Sequence, residues 1–382
     1  MLAFRTKGYN GYGVQYSPFF DNKIAVATSA NYGLVGNGRL FILGIEPNGN
    51  IQEQISWETQ DGLFDVAWSE IHENQVVTAS GDGSIKLFDL TVGQFPVMNW
   101  KEHQREVFSV KWNPVDKTSF VSSSWDGSIK IWTPQRPDSL LTLNPASIDY
   151  TTRATNPAAQ SSTHLPPLSH QQAHQQSAQI NTANCIYSAQ FSPHSPSMLI
   201  SCNGASKVQI WDIRAPNPLQ MQYVAHGGLE ALSCDWNKYK STVVASGGTD
   251  KSVRVWDLRM ISKIDQPLVT SPMAASHVRG PTPLNDLVGH EFAVRRVQWS
   301  PHNAKELLST SYDMTARVWT DESDERARFL NTNKGGLQGV FGSHKEFVIG
   351  CDYSLWGEPG WVATTGWDEM VYVWDSKRLP RG

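Results

Sequence analysis

Apolar residues alternate with small or polar ones in short runs along most of the chain, and turn formers separate the runs. Near the end, HKEFVIGCDYS alternates at a period of two, WVATTGWDE follows and breaks at a turn, and MVYVWDS makes a third run. Runs of this length and period, bounded by turn residues, predict short strands. Fixed residues recur with the pattern. His344, Asp368 and Trp374 are spaced by 24 and 30 residues from the histidine, as are His226, Asp250 and Trp256. His103, Asp126 and Trp132, and again His290, Asp313 and Trp319, show spacings of 23 and 29.

A unit of this size matches the four-stranded WD40 propeller blade of roughly 40–45 residues. Looser copies complete the set. LFDVAWSEIHENQVVTASGDGSIKLFDL keeps Asp82 with Phe88 in the Trp place, and CIYSAQFSPHSPSMLISCNGASKVQIWDI keeps Trp211 with Ala205 in the Asp region. The opening copy, GVQYSPFFDNKIAVAT to GNGRLFILGI, puts Phe41 in the Trp place. Seven copies predict an all-β, seven-bladed WD40 propeller filling residues 1–382 as a single domain. Only eight residues follow Trp374, too few for a turn and a fourth strand of normal length. Residues 2–7 are therefore expected to be the outer strand of the last blade and to close the ring.

Composition narrows the function classes. A net charge of −4 and a pI near 6.3 give no basic field for nucleic acid or anionic lipid. Cys185, Cys202, Cys234 and Cys351 show no CxxC spacing and fall mostly in predicted strands, so they read as buried thiols of a reducing compartment. The sequence has no N-x-S/T site, no leader pattern at its N-terminus and no stretch long enough for a membrane helix. Its last residues are not a Ser-Lys-Leu type address. These features point to a cytosolic protein with no direct membrane insertion.

Repeated His, Ser/Thr and Asp residues invite a catalytic reading, but a triad is built once, from dissimilar segments, with its nucleophile exposed. Thr78, Ser122, Ser246, Ser309 and Thr364 each lie four residues before the turn Asp of their blade. At that spacing the hydroxyl can join the His to the Trp while the Asp anchors the turn. The set therefore reads as structural, and no enzyme activity or cofactor is expected.

Three insertions break the regularity. Residues 144–183, between blades three and four, are rich in Gln, Ser, Pro and His, a composition that suits a weakly ordered loop. His170 and His174 within it have a metal-compatible i, i+4 spacing, but no carboxylate or Cys supports them, so no metal site is assigned. Pro267–Leu287 is expected to precede a blade start, and the charge run from Asp321 to Arg328 to be a solvated loop.

Function is expected where the blades turn toward one end of the ring. Immediately before the turn Asp stand Trp125, Thr249, Tyr312 and Trp367, and aromatic groups at such turns offer contact area to a partner or pack against adjacent loops. Asp61, Asp65, Glu106 and Glu230 lie where first strands begin. Acids beside aromatics suit a ligand with an apolar face and a basic residue, such as a short amphipathic helix.

GYNGYGVQYSPFFDNKIAVATSANYGLVGNGRLFIL, REVFSVKWN, SSSWDGSIKIW, HGGLEALSCDWNKY, STSYDMTARVW and DYSLWGEPGWVATTGWDE resemble the fungal peroxin-7 family, whose members are receptors for the type-2 peroxisomal targeting signal. The similarity spans all seven blades. It implies binding of an N-terminal signal, Arg-[Leu/Val/Ile]-x5-[His/Gln]-[Leu/Ala], on matrix proteins in the cytosol. It also implies a separate co-receptor peroxin, a peroxisomal docking complex, and cycling to the peroxisome membrane and matrix. On this resemblance the apolar helix face lies over Trp125, Tyr312 and Trp367, and the signal's Arg meets some of Asp61, Asp65, Glu106 and Glu230.

Two other classes stay open. Trp211-Asp212-Ile213-Arg214 and Trp256-Asp257-Leu258-Arg259 resemble the WDxR motif of cullin-type ubiquitin-ligase substrate receptors, although an Arg after a strand end is also an ordinary solvated base. A generic WD40 scaffold is the other.

Overall fold

The computed structural model describes residues 1–34, 36–145, 182–261, 281–323 and 335–380. Its strands make seven four-stranded antiparallel sheets, the seven-bladed propeller that the spacing predicts. Six blades use four consecutive strands, as in Val107–Trp112, Phe120–Ser124, Ile129–Trp132 and Leu141–Leu143 of blade three. The last is composite. Leu2–Arg5 is its outer strand, running antiparallel to Met370–Asp375 with Leu2 opposite Val373 and Arg5 opposite Met370. Period-two alternation lets both faces of each sheet bury apolar groups, and the core is a circle of clusters between blades.

The recurrent polar set secures the blades as its spacing implies. In blade three, Ser122 Oγ accepts from Trp132 Nε1 at 2.8 Å and bonds His103 Nε2 at 2.7 Å, while His103 Nδ1 lies 2.8 Å from Asp126. Asp126 also accepts from the backbone N–H of Gln104 and Ser128. Ser246, Ser309 and Thr364 link their His and Trp in the same way. Burial, the largest single influence, pushes these Asp carboxyls up, but the His hydrogen bond and charge together with the Ser or Thr hydroxyl bond more than offset it and hold them low, at about 2 for Asp250.

Three expectations need correction. Thr78 Oγ1 reaches only Lys86 O, at 3.5 Å, because Phe88 has no N–H to donate and the copy carries no His. In blade one the Trp place belongs to Leu43, not Phe41. Leu43 pairs with Ile24, which pairs with Tyr16, just as Trp132, Phe120 and Trp112 align in blade three. Finally, residues 262–280 lie outside the described residues, yet they join Ser252–Asp257 to Asn285–Val288, the third and fourth strands of blade five. Pro267–Leu287 thus falls within a blade rather than before one.

The first strand of each blade faces the axis, and each carries a bulge near its start. Register shifts occur across Gly11/Gly13, Leu63/Asp65 and Val107/Ser109, and at the equivalent places in the other four blades. The extra residues include Tyr12, Phe64, Phe108, Tyr187 and Arg295. A bulge re-aims its unpaired side chain. The seven bulges therefore supply one layer of side chains at one end of the ring.

Candidate functional site

Local backbone bonds bring the predicted turn residues beside the starts of the first strands. Trp125 N–H donates to Glu106 O at 3.1 Å, Thr249 to Glu230 O at 2.9 Å, Tyr312 to Ala293 O at 3.1 Å, and Trp367 to Phe347 O at 2.9 Å. Trp125, Thr249, Tyr312 and Trp367 therefore share one face with Glu106 and Glu230.

On that face the rings form a continuous track. Trp125 stacks on Phe108, with centroids 5.0 Å apart, and Phe108 contacts Phe64 at 5.3 Å. Phe64 meets Tyr12 at 5.1 Å, and Tyr12 meets Trp367 at 5.9 Å. From Trp367 the track continues through Phe347 at 5.1 Å to Tyr312 at 4.9 Å. Trp125, Tyr312 and Trp367 are each part-buried: they pack on neighbouring rings and keep part of their surface exposed. Tyr32, half exposed, lies 5.4 Å from Trp367 on a turn where Asn31 and Tyr32 both have positive φ. Asn10 Oδ1 accepts from Tyr32 N–H and Tyr12 Oη donates to Tyr32 O, which holds that turn in its costly conformation.

Acids border the track between Trp125 and Phe64. Glu230 Oε1 accepts from Tyr187 Oη at 3.0 Å, and Tyr187 stands edge-on to Trp125. Burial and the Glu230 charge push the Tyr187 hydroxyl up. Glu106 Oε2 pairs with Arg105, whose guanidinium lies 5.6 Å over Trp125. Asp61 is part-buried beside Gly81, where a Cβ would come within 2.9 Å of the Asp61 carboxylate.

Asp65 does not join them. It is fully buried in the channel wall below the track, paired with Arg296 at 2.9 Å and Lys111 at 3.5 Å. Burial pushes its carboxyl up, and the two cations more than offset this, leaving it low. Asp65 and Arg296 neutralise each other.

Repeat-level reasoning missed Tyr12, Phe64, Phe108, Tyr187 and Arg295. The signal was available, because each lies four residues before the aromatic that ends its first strand. Arg295 is 4% exposed, with its guanidinium 4.5 Å over Phe108 and one hydrogen bond, at 3.5 Å to Leu232 O, among the described residues. Phe292 and Leu229, 54% and 53% exposed, add apolar surface at the entries to two first strands.

The family described as WD domain, G-beta repeat matches residues 94–133, 217–257 and 281–320. The chain is 53% identical to the peroxisomal targeting signal 2 receptor of Komagataella phaffii, over 99% of this chain and all of that one. It is 46% identical to the receptor so named in Saccharomyces cerevisiae, over 98% of this chain and 99% of that one. For the Schizosaccharomyces pombe receptor the identity is 32%, over 98% and 100%. The chain belongs to the peroxisomal targeting signal 2 receptor family.

Within that family's fold, the WDxR arginines turn back on their own strands. Arg259 forks onto the Asp257 carboxylate and Arg214 lies 3.4 Å from Asp212, away from the aromatic track. Among the described residues no cluster of His, Cys, Asp and Glu could hold a metal, and no helix is long and apolar enough to cross a membrane. His170 and His174 lie outside the described residues.

Proposed function

We propose that the chain binds the type-2 peroxisomal targeting signal as an amphipathic helix laid along the aromatic track. The observation that carries this reading is the unbroken ring-to-ring path from Trp125 to Tyr312 through Trp367, with acids bordering its stretch from Trp125 to Phe64. In the signal Arg-[Leu/Val/Ile]-x5-[His/Gln]-[Leu/Ala], the second and last positions are seven residues apart. That is about two helical turns, or roughly 10 Å, so both apolar groups lie on one helix face. They rest on the rings, and the signal's Arg meets the acidic border of Asp61, Glu106 and Glu230. Asp65 is left out of this set because its charge is already spent on Arg296 and Lys111.

An exposed ion pair contributes only about 0–1 kcal/mol. The carboxylates gain weight when a second protein covers them, which favours a co-receptor peroxin closing over the bound signal. The loaded receptor then passes from cytosol to a peroxisomal docking complex and on to membrane and matrix. A peptide of the form Arg-Leu-x5-His-Leu, compared with one whose Arg is changed to Glu, with and without co-receptor, tests the reading. Preference for the Arg peptide, strengthened by co-receptor, is the expected result. Equal binding of both peptides overturns it.

A further inference from the structure

The central channel is sealed at the aromatic face and open at the other. Tyr12, Phe64, Leu232, Arg295 and Ile349 are all more than nine-tenths buried and make the seal. Beyond it the wall turns polar, and a cavity of about 270 Å³ runs past Arg296, Lys111, Asp235 and Asp352 to the opposite face. Its mouth is set by the residue two places after each strand-ending aromatic, which is Pro18, Pro114, Pro193, Pro301 or Leu355 in five blades.

Around this mouth stands a second set of exposed apolar groups. Ile71, Val115, Tyr239 and Trp356 occupy equivalent places one residue further on and are 38%, 40%, 54% and 45% exposed, and Leu355 is 48% exposed. Tyr239 is fixed there, its hydroxyl donating to Pro301 O at 2.6 Å. Apolar groups gathered at the mouth of a cavity mark an interaction site.

The charges inside state what would enter. Lys111 and Arg296 are both engaged by Asp65, and Lys238 sits 2.8 Å from Asp235. Asp352 accepts hydrogen bonds from Gln298 and from the backbone N–H of Tyr16; Lys111 and Arg296 act on it across the channel, but neither makes an ion pair with it, both contacting Asp65 instead. Burial holds its carboxyl above the usual range. A cavity of about 270 Å³ has room for one long side chain.

We infer that this face docks a partner polypeptide through a lysine or arginine that enters the channel toward Asp352 while flanking apolar residues lie on Leu355, Trp356 and their ring. The site is at the far end from the aromatic track and is independent of what binds there, so both can be filled together.

The test selects from a displayed library of random twelve-residue peptides on the full-length chain. Enriched peptides should carry Lys or Arg between large apolar residues. Their affinity should fall about tenfold or more when that base is changed to methionine, and also on Leu355→Glu or Trp356→Glu. Glu106→Lys should leave it unchanged. Leu355 and Trp356 are exposed, so matched thermal midpoints check that both variants fold, and the methionine peptide tests the base on the unaltered protein. Failure to enrich any peptide, enrichment without a base, or indifference to Leu355→Glu and Trp356→Glu overturns the inference.

Discussion

Arg296 and Asp65 are 231 residues apart in sequence, yet the guanidinium and carboxylate meet at 2.9 Å in the channel. Their pairing joins blade six to blade two and, with Lys111 at 3.5 Å, neutralises a fully buried carboxylate. Removing one member of such a pair costs about 3–5 kcal/mol. Asp65→Asn should therefore lower the denaturant midpoint markedly while the folded fraction keeps its affinity for the signal peptide. Lost affinity at unchanged stability would return Asp65 to the binding face.

Glu106 behaves in the opposite sense. Its side chain is about one-third exposed, and its carboxylate contacts only Arg105 at ion-pair distance among the described residues. Glu106→Lys sets a positive charge against the signal's Arg, and like charges facing each other cost several kcal/mol. Fluorescence anisotropy with a labelled Arg-Leu-x5-His-Leu peptide should show binding abolished, with the thermal midpoint nearly unmoved.

The frame residues separate cleanly from the site. Asp126→Ala leaves His103 Nδ1 and the Gln104 and Ser128 amides without their acceptor. A loss of about 1–3 kcal/mol in unfolding free energy is expected. Calorimetry checks it, and binding by the folded fraction at low temperature should persist.

Acid should loosen the same frame. The Asp250 carboxyl has a folded value of about 2 against an ordinary 3.8, because the His226 bond and charge, the Ser252 hydroxyl and Arg254 together offset the larger upward push of burial. As pH falls, the unfolded chain takes up the proton first, so the stabilisation is full above the ordinary value and is lost on the way down to about 2. Urea midpoints measured across this window should fall for the parent and vary less for Asp250→Asn.

The fold was legible because recurring spacing needs only a few fixed residues per blade, and four intact copies calibrate three eroded ones. Register in an eroded copy was less so. Phe41 looked like the Trp substitute by size, but pairing assigns the place to Leu43, and only the ladder reveals that. The site was half legible. Trp125, Tyr312 and Trp367 stood out beside the turn aspartates, whereas Phe108 and Tyr12 depend on a bulge that alternation alone does not disclose. Asp65 misled because its partner lies four blades on.

Deleting residues 1–7 should expose Met370–Asp375 as a free edge strand, with the backbone groups that faced Leu2–Arg5 unpaired. A lowered unfolding midpoint and concentration-dependent aggregation are the expected readouts. A truncated chain as stable and monomeric as the parent would refute the closing role of that strand.

The pairing of Leu2 with Val373 also sets a clock on biosynthesis. Leu2–Arg5 waits for Met370–Asp375 to be made, so the ring cannot lock before that strand exists, and six blades stand ready before the seventh is whole. Contacts this distant in sequence form slowly. Until Met370–Asp375 is available the nascent chain shows unpaired edges, which makes the interval before closure the time when chaperones matter most.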